Sequence, residues 1–240
     1  MSYICVSKIN LIRMSKKNKE KPEEVVEVVE NTLSRTEQYI EDNQKSLTII
    51  VLAIVVIVGG YLGFKRFIVE PQEKEAAALM FEAEHNFAID SFRVALESEN
   101  GFLEISDSYG LTKVGNLANY YAGICYLQLG EFENAIEYLN KFSSDDEILM
   151  TLSISAIADA NMELGEIDDA ISYYKKASER KPNKFITPMI LMKLGETYEA
   201  QNDFESALGV YEKIQSEYSD SNEGRNIQKY IAKIEYKLDK

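Results

Sequence analysis

Apolar and polar positions follow three different rhythms along this chain. Between Lys45 and Lys65 no charged residue occurs, and Ser46 to Phe64 reads SLTIIVLAIVVIVGGYLGF. At about 1.5 Å per residue such a helix spans roughly 28 Å, close to the hydrocarbon thickness of a bilayer. Inside a bilayer the backbone has no water to bond, so a lone apolar stretch must be helical despite its β-branched residues. The bland alternative, a buried core helix, seldom runs this long without a polar face. The segment 46–69 is therefore expected to be a transmembrane helix.

Before it, Pro22 to Gln44 has a weaker helical rhythm. Pro22 suits a first helical position, and Glu23 and Glu24 suit the positive end of the helix dipole. Val25, Val26, Val29 and Leu33 then share one narrow side. That stripe fits either a partner-docking helix or a loosely ordered tail within a polar segment 1–45. After the span, residues 70–240 are helical in period. Gln72 to Ser98 carries an apolar side that includes Ala76, Met80, Ala83, Phe87 and Ala95, with a break expected near Ile89 to Ser91. Phe102 to Tyr109 is one more short helix. At the far end, Ser221 to Leu238 places Ile227, Ile231, Ile234 and Leu238 on one side and charges on the other, the pattern of a capping helix.

Between these lies a repeat. Gly123, Gly130 and Ala135 are matched by Ala158, Gly165 and Ala170, and again by Gly195, Asn202 and Ala207. Each register runs small residue, turn residue, small residue, and a large apolar residue closes it: Leu139, Tyr174 or Tyr211. The units are YLQLGEFENAIEYL, NMELGEIDDAISYY and YEAQNDFESALGVY. Each reads as two helices joined by a tight turn. The small residues let the helices approach closely, and the large one fills the space beside them.

This pattern resembles the tetratricopeptide repeat, over 116–147, 151–182 and 188–218. Pro182 ends the second unit where that family expects proline. There are departures: no unit has tryptophan at the early aromatic position, and Asn161 stands where tyrosine is usual. Ala83 and Ala95 keep the same spacing, so 76–100 reads as a divergent earlier unit. The fold class is then all-α: one transmembrane helix, a tetratricopeptide-like solenoid of helix pairs, and a C-terminal capping helix. In that family the first helix of each unit lines the inner curve. The resemblance thus implies a partner-binding face at Tyr120, Ile124, Leu127, Met162, Met189 and Met192. Some related proteins grip a terminal carboxylate there with Lys, Arg and Asn. The corresponding places here hold Tyr120, Ile124, Ser155, Asp159, Met192 and Glu196, which argues against that use. An apolar, methionine-bearing lining adapts to varied shapes and suits extended or partly folded chains. The alternative is that Tyr120, Ile124 and Leu127 pack against preceding helices and leave no open groove.

Charge narrows the partners. The chain carries a net charge of -14, and residues 71–240 hold 16 basic against 31 acidic groups. A body that acidic repels phosphate backbones, so nucleic acid is not an expected partner. No cofactor, metal or enzymatic chemistry is expected either. His85 stands alone, Cys5 and Cys125 lie on opposite sides of the span, and Cys125 reads as a small buried hydrophobe. Gly59-Gly60 and Gly63 lie inside the span rather than in a phosphate loop. Gly59 and Gly63 form a small-xxx-small pair that either seats another membrane helix or reflects the frequency of glycine in such helices. Ser143 to Glu147 reads as a helix N-cap, not a calcium loop.

The apolar run is read as a retained anchor, not a signal peptide: 45 residues precede it and no small-x-small cleavage site follows. The texture change at Met14 marks a candidate alternative start. Charges beside the span leave its orientation open, although the basic cluster at 8–21 leans towards a cytoplasmic head.

Taken whole, IEDNQKSL, one span, FKRFIVEPQEKEAA and GNLANYYAGICYLQLGEFENAIEYLNKF are similar to the YfgM-like group of ancillary SecYEG translocon subunits, in forms of the Bacteroidetes type. The resemblance runs from about residue 30 to 235. It implies a single-pass protein of the bacterial inner membrane, head cytoplasmic and repeats periplasmic. The partners it implies are membrane-embedded translocon proteins, periplasmic chaperones or unfolded client chains, besides the lipid bilayer. Two functions stay open: an interaction protein at the translocon exit, and a membrane-tethered scaffold for another envelope complex without client binding.

Overall fold

The computed structural model describes residues 39–239. The Val25 to Leu33 stripe, the basic cluster, Cys5 and the alternative start at Met14 lie outside them. The described residues are helical, without a strand, and the chain divides into two compact units at Phe64/Lys65.

In the first unit, α1 spans Gln44–Phe64 and buries no side chain. Its length and composition suffice to cross a membrane. Thr48 donates to the Gln44 carbonyl at 2.7 Å and so hides its polarity in the backbone. Among the described residues the large apolar side chains of α1, from Ile49 to Leu62, are exposed.

The second unit opens with a π-helical turn, Lys65–Val69. α2 follows (Glu70–Ala88), with proline in its first turn and Ala76, Met80 and Ala83 buried at helical spacing. The expected break occurs at Asp90, whose φ of 59° reverses the chain. The second helix of this pair, α3 (Phe92–Glu97), has only six residues. It stops because Ser98 is extended and Gly101 folds back: a Cβ at Gly101 would lie 2.5 Å from the Leu96 carbonyl oxygen. α4 (Phe102–Ser108) is the short helix read from the sequence.

Three helix pairs come next: α5 (Lys113–Gln128) with α6 (Phe132–Lys141), α7 (Glu147–Leu164) with α8 (Ile167–Glu179), and α9 (Thr187–Ala200) with α10 (Phe204–Glu217). The turn positions of the repeat are left-handed, with φ of 77° at Gly130, 78° at Gly165 and 61° at Asn202. Glycine and asparagine tolerate that conformation where other residues are strained. Asp90 occupies the same place relative to Ala83 and Ala95, so the divergent earlier unit at 76–100 turns the same way. Close approach explains the small residues. A Cβ at Gly123 would sit 2.5 Å from Leu139, and one at Gly195 would sit 2.3 Å from the Tyr211 ring. Ala135, Ala158, Ala170 and Ala207 are fully buried.

Two first-helix starts carry side-chain caps, of which the one within Ser143 to Glu147 was expected. Thr112 caps α5 by accepting from the Gly115 N–H, and Asp146 caps α7 by accepting from Ile148 and Leu149. The first helices of the units keep their N-terminal ends together along one edge. Glu73 of α2 accepts from the Lys113 N–H at 2.7 Å, and the Asn116 side chain bonds both backbone groups of Ser143. Glu147 of α7 pairs with Arg180 and Lys181 ahead of α9, each at 2.9 Å.

One apolar core joins α2 to α6, where Phe102 stacks on Tyr121 with centroids 4.9 Å apart. A second joins α7 to α11 (Gln228–Leu238), which a 3-10 turn, Gly224–Asn226, precedes. Ile227, Ile231 and Ile234 close that end of the stack as expected, all at most 3 % exposed. Leu238 does not join them. It is 40 % exposed at the end of the helix, where α11 reaches the first residue of α10 and the Lys237 ammonium lies over the Phe204 ring.

Candidate protein-binding groove

The inner face is formed by α5, α7 and α9, and its two halves differ. In the first half Tyr120, Ile124 and Leu127 are half-buried against Leu139, Ala156 and Ile157. Tyr120 also meets Phe142 with centroids 5.3 Å apart, and its burial raises the phenol's pKa. These three residues are therefore the seam between the first and second units. They pack against α6 and α7, and Leu127 packs as well against the core that α2 to α6 share. Ser155, expected on the same face, is buried.

In the second half a cleft of about 250 Å³ opens between α7 and α9. Asp159, Met162, Glu163, Tyr174, Lys193, Glu196 and Thr197 line it. Met162 forms an apolar part of the wall, while Met189 and Met192 lie half-buried on the core beneath. Across the cleft the Lys193 ammonium reaches both Asp159 oxygens at 2.7 Å, and the Tyr174 hydroxyl donates to Asp159 as well. Burial, and then Asp159 itself, push the Tyr174 phenol far above its ordinary range. Its proton therefore stays fixed in that bond.

The next unit repeats the arrangement. Glu199, whose side chain is 10 % exposed, accepts from the Tyr211 hydroxyl at 2.9 Å and from Lys233 of the capping helix at 2.6 Å. Two units thus share one device: a tyrosine on the second helix and a lysine from the next unit converge on a carboxylate of the first helix. Glu196 stands between the two clusters without a lysine of its own. The cleft walls desolvate it although its end is exposed, and with Glu199 they raise its carboxyl pKa, against the pull of Lys193 and Lys233. Lys193 and Lys233 escaped sequence reasoning. The signal available was the pair of tyrosines at the closing position, because a buried tyrosine hydroxyl needs an acceptor. Leu139, at that position in the first unit, needs none.

Gly59 and Gly63 lie on α1, where an added Cβ would meet nothing within 4 Å. Cys125 is buried, its thiol pushed up to about 12 by that burial, and it behaves as the small hydrophobe expected. Asp146, read as a cap, is one.

With the helix pairs and cleft in place, two family models match the chain, both described as tetratricopeptide repeat. One covers residues 117–146 and the other residues 155–222. The chain therefore carries tetratricopeptide repeats, modules that generally mediate contacts between proteins. No curated protein matches it.

Proposed function

We propose that this chain is a membrane-anchored protein–protein interaction module, an ancillary translocon subunit that engages emerging secreted chains or periplasmic chaperones. The observation that carries the binding role is the cleft between α7 and α9, which is walled by Met162 and lies within the matched repeats. α1 supplies the anchor, and the open flank at Gly59 and Gly63 is where a membrane-embedded partner helix would seat. The translocon assignment, the inner membrane and the periplasmic side rest on the resemblance of IVEPQEKEAA and NLANYYAG. We read the protein as non-catalytic, because Asp159 is held by both Lys193 and Tyr174 and the cleft lies within tetratricopeptide repeats, which are non-catalytic scaffolds.

Purification of the full chain from membranes in mild detergent tests the partner. Recovery of translocon subunits supports the proposal, and recovery of a different envelope complex alone replaces it with the scaffold role. For the topology, alkaline phosphatase fused after Lys240 should be active. A stable but inactive fusion would place the repeats in the cytoplasm.

A further inference from the structure

Large apolar side chains recur, exposed, at the start of every first helix. Leu111, Ile148 and Phe185 stand at intervals of 37 residues and are 68 %, 54 % and 88 % exposed. Phe67, in the turn that leads into α2, is 81 % exposed. Hydrogen bonds and ion pairs tie these helix starts side by side, from Glu73 to Lys113, from Asn116 to Ser143, and from Glu147 to Arg180 and Lys181. The four side chains therefore occupy one edge of the second unit. The opposite edge, at the turns Gly130, Gly165 and Asn202, has a different character. Acidic residues crowd it: Glu131, Glu133, Glu166, Asp168, Asp169 and Asp203.

We propose that the edge bearing Phe67, Leu111, Ile148 and Phe185 rests on the surface of the bilayer, in contact with anionic phospholipid headgroups. This rests on the membrane-anchor reading of α1. Continuity is the first argument. The second unit begins at Lys65, one peptide bond beyond the apolar helix, and that beginning lies on this edge and no other. Charge is the second. In a body of net charge -15 over residues 71–240, this edge mixes signs: Lys65, Lys113, Arg180, Lys181 and Lys184 stand among Asp145, Asp146, Glu147 and Asp220, whereas the turn residues named above are acidic alone. The acidic turn edge would be repelled by the same headgroups. Aromatic and aliphatic side chains flanked by lysines are the composition that enters the boundary between headgroups and acyl chains. The contact would fix which way the groove faces relative to the membrane.

The test uses the full chain in vesicles of phosphatidylcholine and phosphatidylglycerol, with a nitroxide on the headgroup-proximal acyl carbons of added lipid. Cys5→Ser and Cys125→Ala remove the native thiols, and one fluorophore is placed at Ser143→Cys on the proposed edge, Glu166→Cys on the turn edge or Val55→Cys in α1. Contact within the boundary, about 5–10 Å deep, should quench roughly half the emission at 143 and almost none at 166. Replacing Leu111, Ile148 and Phe185 together by serine should abolish the quenching at 143. Equal quenching at 143 and 166, or quenching at 143 unchanged by the serines, would overturn the proposal. So would protection of the 143 label in native membranes but not in pure lipid, which would assign the edge to a protein. Loss of quenching at Val55 would instead remove the anchor, and the proposal with it.

Discussion

The two halves of the inner face share a repeat yet do different things. Between the first and second units the middle of the facing surfaces is apolar, Tyr120, Ile124 and Leu127 closing on Leu139, Ala156 and Ile157, and a cleft of about 540 Å³ opens only beside the helix starts, at Asn116, Leu117, Phe142 and Asp146. Between the second and third units the facing surfaces carry Asp159 and Lys193, and a cleft remains. Apolar side chains lose nothing by collapsing on one another. A carboxylate and an ammonium each need partners and water at their free lone pairs and protons, so a polar contact holds helices together without sealing the space around it. The switch is visible in one residue of the repeat: leucine closes the first unit at 139, tyrosine the next two at 174 and 211.

Five substitutions probe this contrast. The largest effect is expected at the seam. Leu139→Ala removes a 2 % exposed side chain that fills the space beside Gly123, and should cost about 3 kcal/mol in denaturant unfolding of the detergent-solubilised chain. A cost under about 1 kcal/mol would mean that the seam relaxes and is not a packed contact.

At the cleft, Lys193→Met leaves Asp159 with Tyr174 but without its cation. The expected loss is about 1 kcal/mol, because both partners keep partial exposure. Tyr174→Phe should cost a similar amount, since Asp159 then loses a buried donor. If Lys193→Met is neutral and Tyr174→Phe is not, the tyrosine alone orders the cleft.

Met162→Ala should change stability by less than about 1 kcal/mol, because the side chain is only partly buried, yet it should weaken partner capture. Equal capture would remove methionine from the binding surface.

The smallest effect concerns acid. The folded-state pKa of Glu196 is raised, so its ionised form opposes folding above both the folded and unfolded pKa values. That penalty fades as the pH falls through the folded pKa and is gone below the unfolded one. Glu196→Gln should therefore raise the melting temperature slightly at neutral pH and not in acid. A matching pH profile in the two proteins would show that the cleft does not desolvate Glu196. Glu147, whose pKa is lowered by Lys181 and Arg180, contributes stability with the opposite sign, lost as the pH falls.

Much of the fold could be read from spacing, since backbone rules act locally. A left-handed turn admits glycine or asparagine, and a close helix crossing admits glycine or alanine, so those residues mark their places wherever they stand. The binding face was less legible. Tyr120, Ile124 and Leu127 have the right offsets for an inner surface, but offset says nothing of how near the next helix comes. Lys193 and Lys233 are ordinary exposed lysines in the sequence, and they acquire a role only when the next unit's carboxylate is brought beside them. Leu238 fits the apolar stripe of its helix but finds no neighbour at the chain's last turn. Side chains whose meaning depends on another unit are the ones that spacing misses.

The most direct test of the binding role is photocrosslinking in cells, with a photoreactive residue placed at Met162 in the cleft or at Ile124 in the seam. The proposed function requires secreted chains or chaperones to be captured at 162 and little beyond the protein's own helices at 124. Capture at 124 equal to that at 162, or none at either, would contradict it.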